Sequence, residues 1–196
     1  MAKLLFQGHG SFRIVTDENV VIYVDPFAGD GYDLPADIIL VTHQHGDHNQ
    51  IGMVAKKQDC RIIQNFDAIR DGKYQSFNIK YVSINAVPAY NRNHSRNQCV
   101  GYVLEFDGIR LYAAGDTSKT EEMKELAKLN LDYALLPIDG IYNMDAAEAS
   151  ICADIIGAKH AIPVHMKPGA LFDEKMAAKF TAKNRLIVRA GEEITL

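Results

Sequence analysis

The run Asp37–Thr42 (DIILVT) passes without a break into Thr42-His43-Gln44-His45-Gly46-Asp47-His48, and no other stretch limits the chain's options as much. A run this apolar reads as a strand covered on both faces. Three of the seven histidines and one carboxylate crowd into the loop that follows it. Neutral imidazole together with carboxylate suits zinc, manganese or iron, whereas all-oxygen sites suit calcium or magnesium. In an extended segment His43 and His45 point to the same side. A turn at Gly46 then aims Asp47 and His48 at a second point close by, which suits two adjacent ions better than one. A polar loop that merely contains histidine is the weaker reading, because clustered His and Asp have the makings of a metal site.

The rest of the chain frames that junction. Lys3–Gln7, Ser11–Thr16 and Val20–Asp25 read as strands separated by turn-like GHG and Asp17-Glu18-Asn19. After the histidine loop, residues 49–57 suggest a short helix, 60–64 a strand and 66–70 a helical turn. A strand follows over 79–87, then a polar loop, PAYNRNHSRNQ. Val100–Phe106 and Ile109–Ala114 flank Asp107-Gly108, a strong hairpin signal. Helices are then expected over 121–129, 146–156 and 174–180, alternating with strands at 133–136 and 161–164. A strand near 186–188 closes the chain. Asp145 and Glu148 have the spacing of a capping box. No linker or repeat interrupts residues 1–196, so one α/β domain with helices outside its sheets is expected.

At 196 residues such a domain buries about 70 % of the surface its unfolded chain exposes. The formal charge of −4 argues against a general nucleic-acid or membrane-surface binder, which would carry a basic excess. Cys60, Cys99 and Cys152 are odd in number and widely spaced, so neither a disulfide framework nor a CxxC clip is expected. A reducing, cytoplasmic setting follows. MAKLLFQGHG is too poor in apolar residues for a signal peptide, and no run approaches a membrane span.

HxHxDH after an apolar strand resembles the signature of the metallo-β-lactamase superfamily. Asp25 in VDPF, Asp116 in AAGDT and His165 in IPVH follow in the matching order, each at the end of an apolar run. GHGSF, DPF, AGDT, LLPIDGIYNMD and IPVH resemble the subgroup of small metal-dependent hydrolases that includes ascorbate-6-phosphate lactonase-like proteins. The resemblance implies an αβ/βα four-layer sandwich with the metals at the rim between two sheets. It implies His43 and His45 on a first ion, Asp47, His48 and His165 on a second, and Asp116 bridging. The family supplies a further loop histidine to the first ion. Residues 86–91 hold none here, and His94, a few residues later, is the candidate. One tight and one labile ion would fit that departure. Asp25 would lie beneath the metals as hydrogen-bond partner of a ligating imidazole.

Taken singly, several of these residues have ordinary alternatives. Asp116 could cap a helix, but Thr117 or Ser118 would serve equally. Asp25 before Pro26 could be a turn residue. His9, between two glycines, is either a turn residue or a pocket residue near the metals. His165 could be a satisfied core histidine, and His160 reads as surface or filler. Cys99 and Cys152 read as packing, and Tyr90, Tyr142 and Lys167 as exposed loop residues.

The chemistry expected is hydrolysis by a metal-bound hydroxide. Water on one or two such ions, with zinc the first expectation and manganese or iron the others, loses a proton near neutral pH. It then attacks a small ester, lactone or amide, phosphorylated or not, with Asp47 and Asp116 as catalytic residues. Asp47 would orient the hydroxide or protonate the leaving group. A phosphodiesterase or nuclease with the same ions, and a metal-binding protein without turnover, are the alternatives. A small-molecule substrate is the expected partner, nucleic acid and membrane are not, and a homo-oligomer remains open.

Overall fold

The computed structural model describes residues 1–196. The strands, in chain order, are β1 (Lys3–Gly8), β2 (Ser11–Val15), β3 (Val21–Val24), β4 (Ala36–Leu40), β5 (Lys56–Ile63), β6 (Ile69–Arg70), β7 (Lys73–Tyr74), β8 (Ser76–Ile79), β9 (Val82–Pro88), β10 (Val100–Phe106), β11 (Ile109–Ala113), β12 (Tyr133–Pro137), β13 (His160–Val164) and β14 (Glu193–Thr195). The helices are α1 (Asn65–Ala68), α2 (Met123–Leu126), α3 (Ala146–Ile156) and α4 (Glu174–Ala177). Two six-stranded sheets form, in the orders β14-β1-β2-β3-β4-β5 and β13-β12-β11-β10-β9-β8. Each turns from antiparallel to parallel pairing along its length, at β3-β4-β5 in the first and β11-β12-β13 in the second.

Period-two alternation decides which side chains meet. Leu4, Phe6, Phe12, Ile14, Ile22, Val24, Ile38 and Leu40 face inward from the first sheet onto Tyr102, Leu104, Leu111, Leu135 and Ile162 of the second. The intervening residues of the second sheet, among them Tyr112, Ala134, Leu136 and Ala161, pack under the helices. Those of the first sheet, Val21, Tyr23, Ile39 and Val41, meet the 26–35 loop and a 3-10 turn at Ile51–Met53. The layered αβ/βα architecture is therefore present, with a thin outer layer over the first sheet. Emptying a wholly buried position such as Leu104 by truncation to alanine costs about 2–5 kcal/mol.

Several element boundaries differ from those expected. Only the three-residue turn stands where a helix was expected over 49–57, because β5 already begins at Lys56. Beta5 is a half-exposed edge strand whose sequence, KKQDCRII, carries little apolar alternation. The 79–87 strand is a hairpin, folded at Lys80 (φ 55°) between β8 and β9. The helix expected over 121–129 breaks into α2 and a 3-10 turn, and α4 stops at Ala177. No strand forms at 186–188; a single bridge just before it joins Ala161 and Arg185, and β14 closes the first sheet instead. Helix α3 begins as expected, the Asp145 carboxylate accepting from Glu148 N at 2.8 Å. The reciprocal half of the capping box is absent, since the Glu148 carboxylate accepts from Lys119 N.

Candidate metal centre

The cluster lies where the parallel strands of both sheets end. Beta4 delivers Thr42 and His43, β11 Asp116, β12 Asp139 and β13 His165, while Asp25 directly follows β3 and the β1–β2 turn carries His9. Main-chain bonds stitch the two sheets at this rim, His165 N donating to His9 O at 2.7 Å and Val100 N to Thr42 O at 3.0 Å. Gly115 (φ 65°) has to be glycine: a Cβ there would sit 2.8 Å from Val100 O and 3.0 Å from Thr42 Cβ. The close crossing brings Asp116 against the histidine loop. His9, Asp25 and His165 hold left-handed backbone (φ 58°, 47° and 46°), a costly conformation for non-glycine residues that gathers at functional sites.

Six of the expected residues converge in two groups around a seventh, Asp116. In the first, His43 Nε2 and His94 Nε2 lie 3.0 and 3.3 Å from His45 Nδ1. Two imidazole lone pairs so close repel unless a proton or cation lies between them. Edges of this length match the roughly 3.3 Å expected for nitrogens about a tetrahedral ion with bonds of about 2.0–2.1 Å. In the second group, His48, His165 and Asp47 come together. Asp116 faces both: Oδ2 is 3.8 Å from His43 Nε2 and 3.3 Å from His94 Nε2, and Oδ1 is 3.3 Å from His48 Nε2 and 3.6 Å from His165 Nε2. His48 Nε2, His165 Nε2 and Asp116 Oδ1 are buried without a hydrogen-bond partner. Buried polar atoms are seldom left so. Orphaned donors aimed at common points, in an N and O set, fit divalent metal ions.

The far sides of the rings are held. His48 Nδ1 meets Asp25 Oδ2 at 2.8 Å, and Asp25 also accepts from Thr42 N and Thr42 Oγ1, both at 2.7 Å. His43 Nδ1 lies 3.1 Å from Thr42 Oγ1, His94 Nδ1 3.0 Å from Asn91 Oδ1, and His165 Nδ1 3.0 Å from Asp139 Oδ2, this last contact being bent. His9 has both ring nitrogens engaged, Nε2 with Asp47 Oδ2 at 3.1 Å and Nδ1 with Ala170 O at 3.2 Å, so it is a partner of Asp47 more than a free donor.

Charge follows this layout. Burial opposes ionisation of Asp116, yet the imidazoles of His48, His165, His43 and His94 outweigh it and hold the carboxyl below the ordinary carboxylate range. Burial likewise opposes the charged forms of His48 and His165, but Asp116 with Asp25 lifts His48 to about 9, and Asp116 with Asp139 raises His165. In the other group, burial wins: with the added repulsion of His48, it pushes His43 down to about 2, and it lowers His94 despite Asp116.

The profile of the β-lactamase superfamily domain matches residues 3–165, most of the chain. The chain belongs to the metallo-β-lactamase superfamily. Within that superfamily it is 32 % identical to a metal-dependent hydrolase of Thermococcus onnurineus over 84 % of each chain, and 29 % identical to one of Pyrococcus furiosus over the full length of both. A solved structure from Parabacteroides distasonis is 32 % identical, with a TM-score of 0.76 over 95 % of this chain and 92 % of that one. The protein is a metal-dependent hydrolase of this superfamily. Its fold has no helix long and apolar enough to cross a membrane.

Some residues around the centre were not singled out from sequence. Asp139 backs His165, and Asn91 and Asn143 lie behind the first group. The one available signal was position, since Asp139 follows β12 on the same sheet rim that carries Asp116 and His165. Of the loop residues, Tyr142 is exposed, and Tyr90 is held by Glu122 at 3.0 Å, away from the ligand atoms. His160 is exposed and stacks on Tyr133. Cys99 and Cys152 are buried, the Cys99 thiol donating to Asp116 O at 3.3 Å.

Proposed function

We propose that the chain holds two divalent ions and hydrolyses a small, uncharged ester, lactone or amide. His43, His45 and His94 would hold the first ion and Asp47, His48 and His165 the second, with one Asp116 oxygen offered to each. The observation that carries this reading is the split of the Asp116 carboxylate, one oxygen turned to each histidine group, with the Nε2 atoms of His48 and His165 beside it unpartnered. Zinc is the first candidate, because imidazole and carboxylate suit it; manganese and iron accept the same donors. Bound at such a site, these ions make water nucleophilic near neutral pH and polarise the scissile group.

The protein's own part is placement and proton handling. Asp47 is ionised, because burial is outweighed by the His9 hydrogen bond and by His48, and its carboxylate is half-exposed at the cluster. It accepts a proton from the attacking water and returns it to the leaving group, with His9 fixing its orientation at 3.1 Å. Substrate size and polarity are argued from the cavity beside the first group, of about 320 Å³, lined by His43, His45, His94, Gln44, Asn65, Asn93 and Gln98. Its volume suits a small molecule. Carboxamides offer hydrogen bonds to hydroxyl and carbonyl groups, and no lysine or arginine lines the space to receive a phosphate. This favours an unphosphorylated substrate.

The test is a panel of neutral lactones, esters and amides, a phosphorylated lactone and bis(p-nitrophenyl)phosphate, run on ion-free and Zn- or Mn-loaded protein. Turnover of a neutral substrate that disappears with chelation and returns with the ion is the expected result. A preference for the phosphodiester, or turnover indifferent to chelation, contradicts the reading.

A further inference from the structure

Behind the two histidine groups runs a chain of polar contacts, buried except at the half-buried Asn91, that the proposed reaction does not use. Asp139 Oδ2 lies 3.0 Å from His165 Nδ1 and accepts from Asn143 Nδ2 at 2.7 Å. Asn143 Oδ1 accepts from Asn91 Nδ2 at 3.0 Å, and Asn91 Oδ1 lies 3.0 Å from His94 Nδ1. Its direction is forced. The backbone N–H groups of Asn93 and His94 can only donate, and both point at one side-chain atom of Asn91, which must be its oxygen. The Asn91 NH₂ is therefore turned to Tyr142 O and to Asn143, so Asn143 presents its oxygen to Asn91 and its NH₂ to Asp139. The Asn91 oxygen then receives Asn93 N (2.8 Å), His94 N (2.9 Å) and the His94 ring. That fixes the His94 proton on Nδ1 and leaves the Nε2 lone pair facing the first ion position.

A second, shorter chain has the same plan. Asp25 Oδ2 meets His48 directly and accepts from Thr42 Oγ1, whose oxygen in turn faces His43 Nδ1. In both, a buried carboxylate touches one histidine of the second group and reaches one of the first through neutral hydrogen-bonding groups.

Resting on the two-ion reading, we infer that Asn91 and Asn143 are positioning residues: they relay the orientation set by Asp139 from His165 to His94, and so couple ion affinity at the two half-sites. Groups that orient metal-binding imidazoles change affinity by about 10–100-fold when removed. Networks of this kind are apportioned by double-mutant cycles.

The experiment is a titration of the full-length, ion-free protein with Co²⁺, read by calorimetry and by visible absorption, on wild type, Asn143→Ala, Asn143→Asp, Asp139→Asn and Asp139→Asn/Asn143→Ala. Thermal melts confirm folding. Asn143→Ala is expected to weaken the half-site containing His94 about tenfold or more, with a smaller change at the other. Asn143→Asp keeps the shape but sets an acceptor against Asp139, so it weakens the His94 half-site at least as much; a mere packing role predicts a mild effect. In the cycle, the effect of Asp139→Asn on the His94 half-site largely vanishes once Asn143 is gone. Long-range ¹H–¹⁵N NMR should show His94 as the Nδ1–H tautomer in wild type and a mixture in Asn143→Ala. Tyr90→Phe, which removes only the hydroxyl's bond to Glu122, leaves both affinities unchanged. Wild type binding two ions with both Asn143 variants within twofold of it, or an additive cycle, overturns the relay and leaves the two-ion reading standing. Wild type binding one ion or none overturns both.

Discussion

The two halves of the metal centre share Asp116 but are built differently. His48 and His165 each face a buried carboxylate, Asp25 or Asp139, and both are raised toward the charged form. His43 and His94 face a hydroxyl and a carboxamide, and both are lowered. The first group also includes the exposed His45 and opens onto the polar cavity, whereas His9, His48 and His165 around Asp47 are buried. A carboxylate behind an imidazole makes it a stronger donor to a cation. On the proposed two-ion reading, the second half-site is built to retain an ion, and the first to exchange one or to share it with substrate. Two near-identical donor sets can differ in function through what stands one hydrogen bond further out.

The largest expected effect removes what the halves share. Asp116→Ala should lose both ions and lower turnover by more than about a hundredfold, beyond the usual cost of changing a ligand's hydrogen-bond partner. Elemental analysis and activity check this, with a circular dichroism melt to confirm folding. Loss of one ion only would break the comparison, by making Asp116 belong to a single half-site.

Asp25→Asn against Thr42→Val separates direct from relayed support. Asp25→Asn is expected to weaken the second half-site about 10–100-fold and the first by less. Thr42→Val should touch the first more than the second, which keeps its direct Asp25 contact, by a few-fold, in line with losing one neutral hydrogen bond of about 1 kcal/mol. Equal losses at both half-sites in either variant would remove the distinction.

A smaller effect, and a sharper test, is the pH dependence of loading. In the ion-free protein His48 keeps its proton up to about pH 9, so an ion must displace it at neutral pH. Affinity of the second half-site should therefore rise roughly tenfold per pH unit from about 7 to 9 and then level off. His43, pushed down to about 2, is already neutral throughout that window and imposes no such slope on the first half-site. Calorimetric titrations in buffers of different ionisation enthalpy count the protons released. Parallel slopes at both half-sites would contradict the assignment.

How much of this was legible in the chain depends on how local the signal is. Beta1–β4 and β10–β13 could be read because alternation or a continuous apolar run is written into each segment. Beta5 and β14, half-exposed and at edges, lack that pattern, and α2 and α4 are single turns whose buried residues, Met123 with Leu126 and Ala177, are too few to write a helical period. At the centre, His43, His45, Asp47 and His48 announce themselves because four donors fall within one loop. Asp139, Asn91 and Asn143 do not. Asp139 also accepts from the backbone amides of residues 141–143, at 2.7, 2.6 and 3.2 Å, which is ordinary loop chemistry for an aspartate after a strand. Only the folded chain brings that loop beside His94.

The most direct measurement is anomalous diffraction from crystals of the metal-loaded protein, collected at the zinc, manganese and iron edges. Two peaks are predicted, one on each side of the Asp116 carboxylate, the first among His43, His45 and His94 and the second among Asp47, His48 and His165. No peak at the rim of the two sheets, or ions bound elsewhere on the molecule, would contradict it.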